Sequence, residues 1–550
     1  MTLLLTLLGC AETPFDFGSW NEPTLTIRTP DIGEMLPPGE ILVEGKVRNL
    51  DYVEVNGVAA DIDLFGHFEA TVPVEDGVNV IEAHGWRDDD SDTDFDRRAI
   101  LAGNFAPVDD PVAEALTLRA NQSALDILML GVQSSINPDQ ITQAAMSMNP
   151  VFNQDSFFVT AKAVIERIHI GQPKIRANPY DEGLEIETRI PEFYVRARSW
   201  GQVLGNPFDV TVRVESEEIL LALGFALSAN NGLLDVEVAW VDLELFGFDF
   251  DVSFLPNLVE DLLLVDAVQE KAEHALEKTL QEILNPAIDD ALAGLDLSFS
   301  TQLKGKQLDV EVDFADAWTD TDGIAIVTNV WTQLPATLSG DYPGYMLTRS
   351  EGYPTPSTKS SIALSVSDNL LNNLMFQVWR AGLIDLHMST EDGSLPAEMA
   401  EKLKSEEASL SIRSHLPPII TQKQGRLAIQ LGEFDVSIDT PDGDLGNYLN
   451  LALALELEMA PTTTQDGWLD LGLGEPEMSM MVREDDWGAT DQTTTRMLEE
   501  MMPVEELLGP VNDLAIPLPS FPSGGGIDDI KVVRDPTGAH TNVHINLRKP

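Results

Sequence analysis

Cysteine is almost absent from this chain: Cys10 is the only one in 550 residues. A single thiol excludes an internal disulfide and any zinc site built from several thiolates, so core packing must supply the stability. Basic side chains are also scarce, 33 against 92 acidic ones, giving a formal net charge of −59. Nucleic acid and anionic membranes are recruited by excess Lys and Arg, so capture of either by bulk charge is excluded and no nucleic-acid partner is expected. No run reaches the ~20 uninterrupted apolar residues that cross a bilayer as a helix. Catalytic signatures are missing too. None of the eight histidines belongs to a His-Glu-x-x-His helix, and no Gly-x-Ser-x-Gly elbow occurs. Gly524-Gly525-Gly526 lacks the lysine of a phosphate-cradling loop. The chain reads as a non-enzyme. What is present, 43% apolar residues, suits a soluble globular protein of roughly three or four domains.

Cys10 itself follows the apolar run Leu3 to Leu8 and the small residue Gly9. This pattern resembles a bacterial lipoprotein signal, in which the cysteine is acylated and anchors the mature chain. It implies attachment to the cell envelope, at the outer membrane, by lipid alone. From Thr24 to about Asn104 short alternating strands follow, as in Ile41 to Val47 and Val78 to Ala83, separated by turns such as Asn56-Gly57 and Asp76-Gly77. Such spacing predicts a small all-β sandwich of immunoglobulin-like type. Within it, Asp88, Asp90, Asp92 and Asp94 stand at alternate positions and are candidate oxygen ligands for Ca2+.

The remainder is organised by a repeat at an offset of 246 residues. Leu116 to Val132 lies over Ile362 to Val378, with Leu118, Leu125, Leu128 and Met129 meeting Leu364, Leu371, Leu374 and Met375. Each copy reads as an alternating strand, a polar cap at Asn121 or Ser367, and a helix with apolar residues three and four apart. So long a period means duplicated domains rather than a solenoid. A long helix is predicted from Asn257 to Gly294, with a stripe that includes Val259, Leu262, Leu276, Leu280 and Ile283. Pro335 to Lys359 has little hydrophobic period and reads as a connector.

The second opening, Ile362-Ala363-Leu364-Ser365-Val366-Ser367-Asp368-Asn369-Leu370-Leu371-Asn372-Asn373-Leu374 running to Ala381-Gly382, resembles that of the bactericidal/permeability-increasing protein family. The chain end, with Ile516-Pro517-Leu518-Pro519, Val532-Val533 and Asn542 to Leu547, is similar to that family's closing segments. The resemblance implies an α+β fold of two tandem tubular barrels, each a twisted antiparallel sheet around a long helix, joined through a central sheet behind the sandwich. It also implies phospholipid acyl chains held in apolar pockets between helix and sheet. Two departures are plain: the disulfide of the vertebrate members has no counterpart here, and the basic tip of the members that bind lipopolysaccharide meets a strongly acidic chain.

One stretch is less acidic. Lys162 to Arg213 holds eight Lys or Arg against seven acids, so Arg196 and Arg198 are candidates for contact with lipid head groups. Candidate pocket linings are Leu125, Leu128, Leu276, Leu280, Leu371 and Leu374. The expected division is 1–23 signal and tether, 24–104 sandwich, 105–334 first barrel, 335–360 connector and 361–550 second barrel. Two functions stay open on sequence: a lipid-anchored protein that binds phospholipid for transfer or sensing, and a surface adhesion lipoprotein with a calcium-dependent sandwich contact.

Overall fold

The computed structural model describes residues 22–88, 93–135, 137–147, 149–155, 159–203, 205–252, 298–348, 354, 356–403, 405–423, 426–441, 446–460, 462–463, 468–470, 472–485, 504–512, 514, 516–517, 526–535 and 539–548. The N-terminal strands alternate buried and exposed side chains, as in His67–Val74, because each sheet has one wet face. One sheet orders strands Thr24–Thr29, Gly39–Arg48, His67–Val74 and Asp61–Ile62. The other orders Met35–Leu36, Thr93–Ala102, Gly77–Trp86, Tyr52–Val55 and Val58–Ala59. Ile27, Val43, Val55, Phe68, Val72 and Ile81 close the core between them.

The repeat folds as the sequence spacing requires. Strands Val112–Asn121 and Ile362–Ser367 lie side by side and antiparallel, and Leu118 pairs with Leu364, its own equivalent in the second copy. A local two-fold axis therefore runs between these two leucines, with Gly323–Gln333 flanking one strand and His540–Arg548 the other. Each strand turns into a helix, α1 at Gln122–Ser135 and, after α2 at Pro138–Ser147, α3 at Asp368–Arg380. Asn121 Oδ1 accepts from Ser123 N at 3.0 Å and Ser367 Oγ from Asn369 N at 3.1 Å, so the two caps are equivalent positions. Gly382, at φ +66°, takes the left-handed conformation that ends α3, and Lys306 Nζ donates to the Ala381 carbonyl at 2.6 Å.

The expected α+β class, with sheets wrapped around long helices, is corrected. Among the described residues strands make up 65% and helices 11%, in five short helices, and the body is a curled antiparallel sheet. The remaining two helices are α4, Ala397–Leu403, and α5, Val504–Asn512. The physical reason lies in the strands. Gly183–Val203 and Asn206–Asn230 run for 21 and 25 residues and pair in one register from Leu184 and Phe225 to Val203 and Asn206, interrupted at Glu192 and Glu217. Alternation shows such a strand only in pieces, so its share of the chain is underestimated. The helical period at Asn257 to Gly294 lies outside the described residues.

The sandwich is docked onto the C-terminal half. Ala99 and Leu101 of the sandwich meet Met346, Leu416 and Ile419 in a separate apolar cluster. Beside it, Ala99 N donates to the Glu433 carboxylate, Val78 N donates to Gln430 Oε1 at 3.1 Å, and Arg97 Nη1 donates to Ser479 Oγ at 2.7 Å. Glu433 also pairs with Arg483, which holds Asp435 in turn. The segment read as a connector carries the strand Tyr345–Leu347, paired with Asn104–Ala106.

Candidate functional site

The long strands set two opposite faces. Cross-strand partners share a face, so Val195 with Val214, Ala197 with Val212 and Ala197 with Ile165 place an apolar row inside the curl. Near the central sheet this inner face is closed: Ile186, Ile190, Ile219, Leu221 and Leu223 are buried. At Glu192, φ +56°, the pairing of the two long strands is interrupted and the apolar positions of Gly183–Val203 pass from even to odd numbers; beyond this break Phe193, Val195, Ala197, Val212 and Val214 are only half-buried. Leu234, Val236, Val241, Leu243 and Leu245, which pair with the closed stretch from Ile219 to Ala229, are half-buried and pack against the main core. Val195, Ala197, Val212 and Val214 are thus apolar side chains of these two strands that the main core leaves half-covered.

The second copy is different. Along Arg426–Asp439 and Tyr448–Met459, Ile429, Leu431, Phe434, Val436, Leu451, Leu453 and Leu455 are all buried. Helix α3 is buried on nearly every side, and several of its polar side chains are matched, while Asn373 Nδ2 is buried without a partner. Asn372 Nδ2 donates to the Met346 carbonyl at 3.1 Å, Gln377 Nε2 to the Thr332 carbonyl at 3.0 Å, and Trp379 Nε1 to the Ser414 carbonyl at 3.1 Å.

Outside the curl, the register collects the cations that the sequence scatters. Arg167 pairs with Arg196 and Arg196 with Arg213, forming one row. Arg198 pairs with Thr211 in the next, and Lys162 with Trp200 and Trp200 with Asp209 in the one after. A bulge between Ile165 and Arg167 turns Arg167 onto this face. Like charges opposite one another are unfavourable, and carboxylates relieve part of that. Glu166 sits 3.3 Å from Arg196, Asp251 sits 3.7 Å from Arg213, and Arg198 holds Asp209 with two bonds of 2.9 and 2.5 Å. The Arg198 hydrogen bond keeps the Asp209 carboxyl below its ordinary range, and the same bond raises the guanidinium. Among the described residues no ion pair involves Arg167 or Lys162.

Trp200 is the centre of this end. It is 37% exposed, with Lys162 Nζ 5.8 Å and Arg198 Cζ 5.9 Å from its ring centroid. An open cleft of about 480 Å3 is lined there by Thr160, Arg198, Trp200, Gln202, Phe208 and Asp209. It joins a flat aromatic wall to one guanidinium and one carboxylate, a combination suited to a polar head group next to an apolar chain.

No family model matches the chain, and no curated protein does. Among solved structures it is similar to lipopolysaccharide binding protein at 12% identity and a TM-score of 0.42, over 80% of this chain and 100% of that one. It is also similar to P47 of Clostridium botulinum E1, at 9% identity and a TM-score of 0.28, over 80% of this chain and 100% of that one. Latherin aligns with 32% of this chain and 86% of its own, at 15% identity and a TM-score of 0.19. Such low scores leave ligand and mechanism to this chain's own residues.

The candidates from sequence fall into separate places. Leu125, Leu128, Leu371 and Leu374 are buried in the main core cluster; Leu276 and Leu280 lie outside the described residues, as do Cys10, Asp90 and Asp92. Arg196 and Arg198 share the outer face just described. Asp88 Oδ1 accepts from Tyr52 Oη at 2.6 Å. Asp94 Oδ2 accepts from Leu25 N at 2.7 Å, and Asp96 does the same for Ile27 at 2.8 Å, so these carboxylates tie one sheet of the sandwich to the other. No group of three or more metal-binding side chains occurs among the described residues, and no helix among them is long and apolar enough to cross a membrane. Sequence reasoning missed Trp200 and the inner valines. The available signal was a tryptophan two positions beyond an arginine, in the same alternating strand.

Proposed function

We propose that the chain is a non-enzymatic lipid-binding protein whose ligand lies at the far end of the long-stranded sheet. Acyl chain lies along the inner row of Phe193, Val195, Ala197, Val212 and Val214, and the head group is received where the strands end, in the cleft of Arg198, Trp200, Gln202 and Phe208, with Lys162 and Arg196 on the outer face beside it. The observation that carries this reading is the change along the long strands, from apolar side chains buried at Ile186 to Leu223 to apolar side chains half-exposed at Phe193 to Val214 beyond the break at Glu192. Each CH2 placed there gains about 0.8 kcal/mol. The row Arg167, Arg196 and Arg213 carries charge that a phosphate would balance. The second copy, with its inner face buried, serves as scaffold. Phospholipid is the ligand class, and holding or passing it at the cell envelope, from an anchor at Cys10, is the role.

Native mass spectrometry with lipid extraction tests this on the full chain carrying Cys10→Ser, so that an anchor's acyl chains do not enter the count. The expected result is about one phospholipid per chain, lost in Val195→Asp while circular dichroism is unchanged. A folded chain that stays lipid-free after incubation with mixed liposomes overturns the proposal.

A further inference from the structure

At one end of the sandwich a turn carries the wrong kind of residue. Asp63, Leu64, Phe65 and Gly66 join strands Asp61–Ile62 and His67–Val74, and Gly66 N donates to the Asp63 carbonyl at 3.1 Å. Asp63 Oδ1 accepts from Phe65 N and His67 N, both at 2.8 Å. Gly66 has φ +78°, and a Cβ there would stand 2.2 Å from the Val47 carbonyl oxygen, so the turn requires glycine. Its flanks are therefore fixed by residues that suit a tight turn. Its centre, where polar residues are usual, holds Leu64 and Phe65 at 101% and 80% exposure. Neither side chain adds to the core. Adjacent apolar groups held out this firmly are presented to something else.

Position identifies the partner. Val47 N donates to the Gly66 carbonyl at 2.7 Å, Lys46 pairs with His67, and Arg48 pairs with Thr24. Asn49 Nδ2 donates to the Glu22 carbonyl at 3.0 Å. The turn and Glu22 thus sit at the same end of one sheet, and Cys10 precedes Glu22 by 12 residues, at most roughly 40 Å of extended chain. Lys46 and Arg48 are exposed beside the turn, a basic pair in a chain of net charge −59. The rim below Leu64 and Phe65 carries Lys46 and Arg48 beside the exposed carboxylates of Asp61 and Asp63, and apolar tips projecting past such cations match the layering of a bilayer surface, with phosphates outside and acyl chains beneath.

We propose that the Leu64–Phe65 turn inserts into a phospholipid bilayer, seating the sandwich on the membrane with Lys46 and Arg48 against lipid phosphates. It rests on the lipid-anchored reading above for the choice of a membrane as partner, and it is separate from the lipid site of the body.

With only one cysteine to remove, Cys10→Ser leaves the full chain free for single-site labelling. A nitrobenzoxadiazole dye at Leu64→Cys is compared with the same dye at Glu40→Cys, at the opposite end of strand Gly39–Arg48, on adding vesicles of phosphatidylethanolamine and phosphatidylglycerol. Expected is a blue-shifted rise of about threefold or more at position 64 with no change at position 40. Phe65→Ser, with the dye kept at position 64, should return that signal to baseline. No rise at position 64, or equal rises at both positions, overturns the proposal; the first outcome leaves the turn to a protein partner. A rise at position 64 in a chain that purifies without lipid would retain the turn and remove the lipid site of the body, so the two readings fail separately.

Discussion

Asp368 opens α3 at 1% exposure and is held by Arg534 through both carboxylate oxygens. Burial pushes its carboxyl above the ordinary range, with the Arg534 hydrogen bonds pulling the other way. Removing the guanidinium therefore strands a desolvated charge, and Arg534→Met should lower stability by about 3–5 kcal/mol, limited by uptake of a proton on Asp368. The measurement is the urea midpoint at constant slope; Asp368→Leu added to Arg534→Met should recover much of the loss, and a single variant as stable as the parent would contradict the account. His540, facing Asp368, Asp535 and Arg534, is shifted in the other sense: burial holds its imidazole below the usual 6.5. The unfolded chain then takes up its proton first. Stability from this group is complete above about 6.5 and is lost as pH falls through the lower folded value. His544 is lowered too, by burial and Lys531. The urea midpoint should accordingly fall between pH 7.5 and pH 5.5, less steeply in His540→Asn; an unchanged slope with pH in that variant would assign the dependence elsewhere.

At the scale of elements, the strand, cap and helix unit was legible because its determinants are local. Asn121 and Ser367 cap helices whose first turns they precede, and the offset of 246 residues places Leu118 opposite Leu364. Strand length was not legible. The 25 residues of Asn206–Asn230 alternate with interruptions, at Glu217-Glu218 and Leu220-Leu221-Ala222-Leu223, that locally resemble turns or buried runs. Burial was the second hidden property. Leu125 and Leu374 show the same helical spacing whether they line a pocket or pack solid, and both are core. Nor did the sequence reveal that Val195 and Leu453, alike in an alternating strand, differ in exposure, because that depends on what another part of the chain lays over each sheet. Arg196 and Arg198 could be singled out by composition, whereas Trp200 needed the register that puts it between Lys162 and Asp209.

At the scale of the molecule, the sandwich reads from sequence as a separable module, and its docking depends on partners far away in the chain. Ala99 and Glu433 are 334 positions apart. Arg97, 5% exposed, and Glu433, 2% exposed, lie against a patch of Leu101, Met346, Leu416 and Ile419, so charge and apolar area are desolvated together. Burial pushes the Glu433 carboxyl up while the Ala99 N–H and Arg483 draw it down, and His415 at 2.8 Å holds Asp435 low. Domain pairs within a chain move freely unless their interface is large and apolar. Here a small apolar patch is locked by a buried charge network, which fixes the Leu64–Phe65 end of the sandwich in orientation to the body. Leu416→Asp places an unpaired carboxylate in that patch and should release the sandwich without unfolding either part. Limited proteolysis of the segment from Gly103 to Pro111 would report it. Cleavage about tenfold faster or more than in the parent is expected, as a linker held at both ends gains freedom to open, with lipid uptake by the body retained. Equal cleavage rates would mean that the strand pair Asn104–Ala106 and Tyr345–Leu347, rather than the Leu416 patch, holds the two parts together.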